Sequence, residues 1–133
     1  MLKQANDTYG HAMGDKLIAT AAHVISDTFK RSPVFRIGGD EFLVVLQGRD
    51  LEECAALIEQ FDNTCAGTFV DTNDGNKLQI SVAHGYSTFD PSTDTVIFDV
   101  FKRADSAMYT NKKMYIGPVM KKQILCRLKL LMK

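Results

Sequence analysis

The stretch Arg-Ile-Gly-Gly-Asp-Glu-Phe at residues 36–42 constrains the fold more than any other part of the chain. Apolar, β-prone residues occupy positions 34, 35 and 37 before the double glycine and positions 42–46 after it. Two such runs around Gly38-Gly39 predict a β-hairpin, because only glycine enters the φ > 0 region of a tight turn without steric cost. This hairpin is the first fixed point for the rest of the fold.

The predicted turn carries two adjacent carboxylates, Asp40 and Glu41. Bare glycine backbone beside carboxylates leaves room for a phosphate or nucleotide, with a divalent cation as counter-charge. The alternative interpretation is a solvated acidic turn, since a short motif alone is only a hypothesis.

Hydrophobic periodicity predicts the other elements. Apolar residues recur at helical spacing from Asp15 to Phe29, from Asp50 to Phe61 and from Val96 to Met108, and they alternate along a strand from Leu78 to Tyr86, with a short strand at Phe69-Val70. The order helix, hairpin, helix, strand, helix predicts an α+β sandwich in which helices cover an antiparallel sheet. His84 in the long strand is expected to be a hydrogen-bonded core histidine rather than a ligand.

The last residues differ from the rest of the chain. Residues 1–119 contain eleven basic and sixteen acidic residues, whereas residues 120–133 contain five basic residues and no acidic one. The apolar residues of this tail are spaced as in a basic amphipathic helix, which would dock on the domain or a partner subunit, or lie on a membrane surface. We therefore divide the chain into a domain at 1–119 and a divergent tail at 120–133.

Composition narrows the function classes. An acidic body argues against general nucleic-acid binding, which requires a basic face. The sequence has no apolar run of the ~20 residues that a transmembrane helix needs, and its N-terminus lacks a signal-peptide pattern. Three cysteines without a C-x-x-C pair indicate neither a disulfide framework nor a zinc site. A cytoplasmic location is expected.

Four motifs in order identify a resemblance. Residues 3–15 resemble the F-K-x-x-N-D-x-x-G-H-x-x-G-D segment of GGDEF domains, the diguanylate cyclase family, and residues 38–42 match the motif that names it. Residues 81–85 lie where that family has an S-[IV]-G strand, and residues 102–109 are similar to its K-R-A-D-x-A-[LM]-Y helix. The resemblance implies a ferredoxin-like sandwich similar to adenylate cyclases and polymerase palm domains.

The resemblance also implies an activity. Diguanylate cyclases condense two GTP molecules into the bacterial second messenger cyclic di-GMP, so two domains must face each other as a homodimer. On this basis Asp40 and Glu41 would be catalytic residues and ligands of Mg²⁺ or Mn²⁺, and Asp40 would help to deprotonate the attacking hydroxyl. Gly38 and Gly39 would let the backbone lie against the nucleotide.

The other site residues follow from the same resemblance. Asn6 and Asp15 match the pair that reads guanine, although Asp15 would alternatively be a helix N-cap. Lys3, Lys102 and Arg103 are the candidates for phosphate contacts. A surface ion pair is the alternative role for Arg103 and for Asp105, and His11 is expected to be structural.

The sequence departs from the family pattern in two places that bear on activity. The family's first central strand, with the Asp that supplies a further metal ligand, would lie upstream of Met1. We therefore expect this chain alone to be a weak or inactive cyclase, and we expect the tail or a second copy to fill the strand's position. Phe29 and Ser32 occupy the Arg and Asp positions of the family's R-x-x-D product-inhibition motif, so feedback binding of cyclic di-GMP is not expected there.

An alternative function remains open at this point. The chain could be a non-catalytic GGDEF module that binds guanine nucleotide or pairs with a sensory or phosphodiesterase domain. Metal-dependent turnover of GTP separates the two functions.

Overall fold

A computed structural model describes residues 10–114 and 123–132. Its elements are four helices and five strands in the described ranges: α1 (His11–Thr28), β1 (Val34–Arg36), β2 (Glu41–Leu46), α2 (Arg49–Glu52), α3 (Cys54–Ala66), β3 (Phe69–Asp71), β4 (Lys77–Thr88), α4 (Ile97–Met114) and β5 (Gln123–Met132). The predicted helices, hairpin and long strand are confirmed, as is the α+β class.

The strands form one sheet in the order β1-β2-β5-β4-β3. The two outer pairs, β1 with β2 and β3 with β4, are antiparallel as predicted. The two inner pairs are parallel, because β5 runs in the same direction as both β2 and β4. The sheet is therefore mixed: the prediction of antiparallel pairing holds for the outer pairs but not for the two pairs at the centre.

The central strand β5 comes from the tail, where the prediction of an amphipathic helix is wrong. Apolar residues occupy alternate positions 124, 126, 128, 130 and 132, which is the period of a strand. Because the tail is rich in leucine, its apolar residues fit both the spacing of a strand and that of a helix. Pairing with the neighbouring strands selects the strand. Without β5, the facing edges of β2 and β4 would each leave a row of backbone donors and acceptors without partners. Only an extended segment can satisfy these groups. The expectation that the tail fills the central position of the sheet is confirmed.

The main core lies between one face of the sheet and the helices α1 and α3. Leu17, Ile25 and Phe29 from α1 and its end pack with Phe61 of α3 and with Val44 of β2, and all five are at most 1% exposed. Burial alternates along β2, so that Phe42, Val44 and Leu46 are buried on one side of the strand.

The His84 side chain lies at the edge of this core and is 11% exposed. The His84 imidazole Nε2 lies 2.9 Å from Asp62 Oδ1, and its ring packs edge-on against Phe61 with the centroids 6.2 Å apart. The prediction of a hydrogen-bonded core histidine is confirmed. Burial, together with the nearby Asp62 carboxylate, raises the pKa of the Cys65 thiol to about 12, so this cysteine is an inert packing residue.

The opposite face of the sheet is covered by α4. Ala83 of β4 packs on Met108, and Val100 and Ala104 contact Leu43 of β2. The closest approach is at Gly85, where a Cβ atom would lie 2.1 Å from the Met108 backbone nitrogen. The helix backbone therefore rests directly on the strand.

Candidate functional site

The turn at residues 38–41 joins β1 to β2 and is closed by a hydrogen bond from the Ile37 N–H to the Glu41 carbonyl, 2.9 Å long. Gly38 and Gly39 do not use the left-handed region, so the predicted reason for the double glycine is wrong. The described glycines with positive φ are Gly10, Gly48 and Gly75. A Cβ atom at Gly38 would lie 3.3 Å from the Cβ and 3.4 Å from Oε2 of Glu41. Glycine at position 38 thus makes room for the Glu41 side chain.

The two carboxylates of the turn, Asp40 and Glu41, are both half-buried. Within residues 10–114 and 123–132, no group of three or more His, Cys, Asp or Glu residues could hold a metal ion. Mg²⁺ is commonly bound through one or two carboxylates together with water and substrate phosphates. Asp40 and Glu41 are residue types of this kind, and by themselves they are two carboxylates rather than a full set of metal ligands.

Arg36 holds the same turn from the side of β1. Its Nε donates to the Gly38 carbonyl at 3.2 Å, and its Nη2 donates to the Gly39 carbonyl at 2.8 Å. No sequence pattern predicted a role for Arg36. The sequence offers a single indication of such a role, which is the position of Arg36 two residues before the double glycine.

A groove of about 440 Å³ lies between α1 and the hairpin. Its lining joins the predicted guanine-reading residue to the motif strands: Asp15, Ile18, Ala19, Ala22, Ser26, Val34, Arg36 and Phe42. The size is in the range of small-molecule sites, which are typically apolar clefts with a few polar groups.

The helix α1 brings Asp15 to this groove from its exposed side. The helix begins at His11, with Gly10 in the N-cap position at φ 88°. Asp15 is therefore inside the helix, and its alternative role as an N-cap is wrong. His11, expected to be structural, is the first residue of α1. Lys3 and Asn6 lie outside the described residues.

Arg103, on α4, forms its hydrogen bonds away from the motif turn. Its guanidinium makes a two-pronged ion pair with Asp94, in which Nη2 lies 2.7 Å from Oδ2, and it also donates to Ser87 Oγ and the Thr88 carbonyl. The Asp94 side chain is only 1% exposed, so its charge needs this partner. The alternative role of Arg103 as an ion-pair residue is thus what the structure shows, with Asp94 as its partner.

The strand register separates Arg103 from the motif turn. Arg127 of β5 aligns with both Glu41 and Ala83, whereas Arg103 is bonded to Ser87, four residues further along β4. At ~3.3 Å per residue this is a separation of roughly 13 Å along the strands. The neighbouring Lys102 places its Nζ 5.2 Å from the centre of the Phe98 ring. The described structure brings Asp15 to the motif strands but not Arg103.

Comparisons with known proteins decide the family. The model of the family "Diguanylate cyclase, GGDEF domain" matches residues 1–115. The chain belongs to the GGDEF domain family. Similar curated proteins include diguanylate cyclase A of Treponema denticola, 30% identical over 112 residues, and the diguanylate cyclase DgcZ of Escherichia coli, 34% identical over 116 residues. Each match covers 84% of this chain but only 30% and 37% of the relative, so this chain spans about a third of their length.

A solved structure shares the fold. The GGDEF domain of DgcB from Caulobacter crescentus, crystallised in complex with c-di-GMP, superposes with a TM-score of 0.63 at 20% identity. The match covers 97% of this chain and 71% of the DgcB chain. The α+β sandwich is therefore that of a GGDEF domain.

In this GGDEF domain, Phe29 and Ser32, at the positions of the product-inhibition motif, have structural roles. Phe29 is 1% exposed, and its ring lies 6.1 Å from that of Phe61. The Ser32 hydroxyl donates to Asp50 Oδ2 at 2.7 Å, and the Arg31 N–H donates to the same oxygen at 2.8 Å. Neither side chain resembles the charged pair that the motif supplies.

The ion pair of Asp94 predicts an acid-sensitive part of the stability. Hydrogen bonds from Arg103 and from the Asp90 N–H lower the pKa of Asp94 from 3.8 to about 2. A lowered folded-state pKa contributes stability above the unfolded pKa and loses it as the pH falls through the folded value. We expect Asp94→Asn to reduce the loss of unfolding free energy between pH 4 and pH 2, measured by urea denaturation.

The control for this prediction is Asp27→Asn, which removes an exposed carboxylate from α1. It should leave the acid dependence close to that of the parent. An Asp94→Asn protein that loses stability as steeply as the parent below pH 4 would show that the ion pair does not set this dependence.

Proposed function

We propose that this GGDEF domain binds GTP in the groove between α1 and the hairpin and acts in diguanylate cyclase chemistry. The observation that carries the proposal is the shared lining of one groove by Asp15 and by Arg36 and Phe42 of the motif strands. A nucleotide there would meet both the predicted base-reading residue Asp15 and Arg36, which is bonded to the motif turn.

The groove suits a guanine base. An ionised carboxylate at Asp15 accepts hydrogen bonds from the N1–H and N2–H₂ edge of guanine, which adenine lacks. Ile18, Ala19 and Ala22 add an apolar wall to the same groove, against which a flat ring packs. By resemblance, Asn6 would contribute a second contact to the base, and Lys3 a contact to the phosphates.

The reaction requires two such domains. The 3′-hydroxyl of one GTP attacks the α-phosphate of the other, the bond to pyrophosphate breaks, and the exchange is repeated in the opposite direction. Each domain offers one groove, so the active species would be a homodimer. Asp40 would accept the proton of the attacking hydroxyl, and Asp40 with Glu41 would hold a divalent cation, which neutralises charge on the phosphates.

A second function is favoured by one observation. In the part of the chain that the structure describes, no group of three or more His, Cys, Asp or Glu residues could hold a metal ion, so Asp40 and Glu41 would bind Mg²⁺ without a third such ligand. Because Mg²⁺ demands near-ideal octahedral geometry, the site would hold it weakly. A weak cyclase, or a GTP-binding module that regulates a sensory or phosphodiesterase partner, is consistent with this donor set.

No helix among the described residues is long and apolar enough to cross a membrane. We propose that the protein acts in the cytoplasm, where GTP is available. A wider set of domains around this one is also a proposal, since the relatives are about three times longer.

The test is incubation of the purified chain with GTP and Mg²⁺, followed by chromatography for cyclic di-GMP and by calorimetry for binding. We expect Asp40→Asn to lower product formation at least about 100-fold, and Asp15→Asn to weaken GTP binding about tenfold, as expected from loss of a charged hydrogen bond. Asp27→Asn, on the same helix but outside the groove, is the matched control.

The possible results separate the two functions. Product from the parent and not from Asp40→Asn supports the cyclase. Binding of GTP over ATP without product supports the regulatory module. A parent that binds neither nucleotide, or an Asp15→Asn variant that binds GTP as tightly as the parent, contradicts the proposed site.

A further inference from the structure

Arg36 occupies a position that links the groove to the motif turn. Among the described residues that line the groove, the charged ones are Asp15 and Arg36. The same Arg36 guanidinium donates to two successive backbone carbonyls, those of Gly38 and Gly39. One side chain therefore contacts the turn and borders the space assigned to the nucleotide.

Two successive glycines make the turn intrinsically loose. Glycine loses more conformational freedom on folding than any other residue, and the hairpin bond from Ile37 to Glu41 fixes only the ends of the turn. Bonds to the Gly38 and Gly39 carbonyls restrain two successive peptide planes between those ends. Hydrogen bonds from a charged donor are stronger than neutral ones, and the rigid fork of arginine suits two separate acceptors better than a lysine ammonium does.

We propose that Arg36 is a positioning residue that sets the shape of the turn and thereby the placement of the Asp40 and Glu41 carboxylates. Its guanidinium also borders the groove, so a nucleotide phosphate bound there contacts the group that holds the turn. Occupancy of the groove and the shape of the turn are thus coupled through one side chain. This second part rests on the proposed function, whereas the positioning of the turn stands on the hydrogen bonds alone.

The first experiment measures the turn without any nucleotide. Amide hydrogen exchange by NMR is compared in the parent, Arg36→Met, Arg36→Lys and Arg49→Met, the last of which removes an exposed arginine paired with Glu53. We expect the Ile37 amide to exchange about tenfold faster in Arg36→Met, as loss of charged hydrogen bonds predicts. The Val45 amide, which donates to Pro33 at the other end of the hairpin, should be unchanged.

Arg36→Lys keeps the positive charge but not the forked guanidinium. We therefore expect the Ile37 amide to exchange nearly as fast in this variant as in Arg36→Met. Arg49→Met should match the parent. Unchanged exchange at Ile37 in Arg36→Met would overturn the proposal, as would an equal acceleration at Ile37 and Val45, because that would be general destabilisation.

The second experiment adds GTP with Mg²⁺ and follows the amide shifts of Gly39, Asp40 and Glu41. In the parent we expect these shifts to move on binding, and in Arg36→Met we expect the affinity to fall about tenfold or more. Binding with unchanged turn shifts would overturn the coupling. A parent that binds no GTP would contradict the proposed function, while the exchange at Ile37 would still decide the positioning role.

Discussion

Replacing Gly85 by alanine should destabilise the domain by at least about 3 kcal/mol, because the added methyl group has no space. Its carbon would lie 2.1 Å from the Met108 nitrogen, 2.4 Å from the Ala104 carbonyl oxygen and 2.7 Å from the Ala107 carbonyl carbon. All three are backbone atoms of α4, so no side-chain rotation relieves the overlap. The helix must move off the sheet and lose the packing of Met108 on Ala83.

The measurement is urea denaturation of the parent and the variant, followed by circular dichroism. Gly67→Ala is the matched control, since a Cβ atom there would meet only the Asn63 and Thr64 carbonyl oxygens at an ordinary 3.8 Å. We expect the control to stay within about 1 kcal/mol of the parent. A Gly85→Ala protein as stable as Gly67→Ala would mean that α4 does not rest on β4 in this register.

Replacing Leu128 by proline should also cost at least about 3 kcal/mol. Leu128 lies in β5 between Phe42 of β2 and His84 of β4, so both sides of its backbone face another strand. Proline removes the amide donor and places a ring where the neighbouring strand lies, which confines proline in sheets to edges and bulges. The predicted loss applies to the whole sheet, since among the described strands β5 joins the two halves.

Urea denaturation measures how much unfolding free energy Leu128→Pro loses, and amide hydrogen exchange shows which strands are affected. We expect Leu128→Pro to lower the protection of the amides in both β2 and β4, because each strand loses its neighbour. Leu128→Ile keeps the amide and the strand propensity, so it should cost less than about 1.5 kcal/mol. If Leu128→Pro left the protection of β2 and β4 at the parental level, the tail would not occupy the centre of the sheet.

Local patterns in the sequence were sufficient for the elements that form around one buried face. The spacing of Leu17, Ile25 and Phe29 predicts α1, and the double glycine between β-prone runs predicts the hairpin. In each case the residues that pack together are close in sequence or repeat with one period. The fold class follows from the order of such elements.

What sequence patterns missed depends on contacts between distant residues. The tail carries both a helical and an alternating pattern, and only the open edges of β2 and β4 select the strand. The partner of Arg103 is Asp94, nine residues away and outside any regular spacing, and it is recognisable only when the loop is folded onto α4. The role of Arg36 depends on the direction of two carbonyl groups, which no residue pattern encodes.

The position of β5 has a consequence for synthesis on the ribosome. The hairpin of β1 and β2 and the pair of β3 and β4 both precede β5 in the chain, yet neither half can join the other until β5 has emerged. The nascent chain therefore carries two half-sheets whose inner edges are open, and such edges recruit other strands and promote aggregation. The two halves of the described sheet are therefore expected to pair only after β5 has been translated.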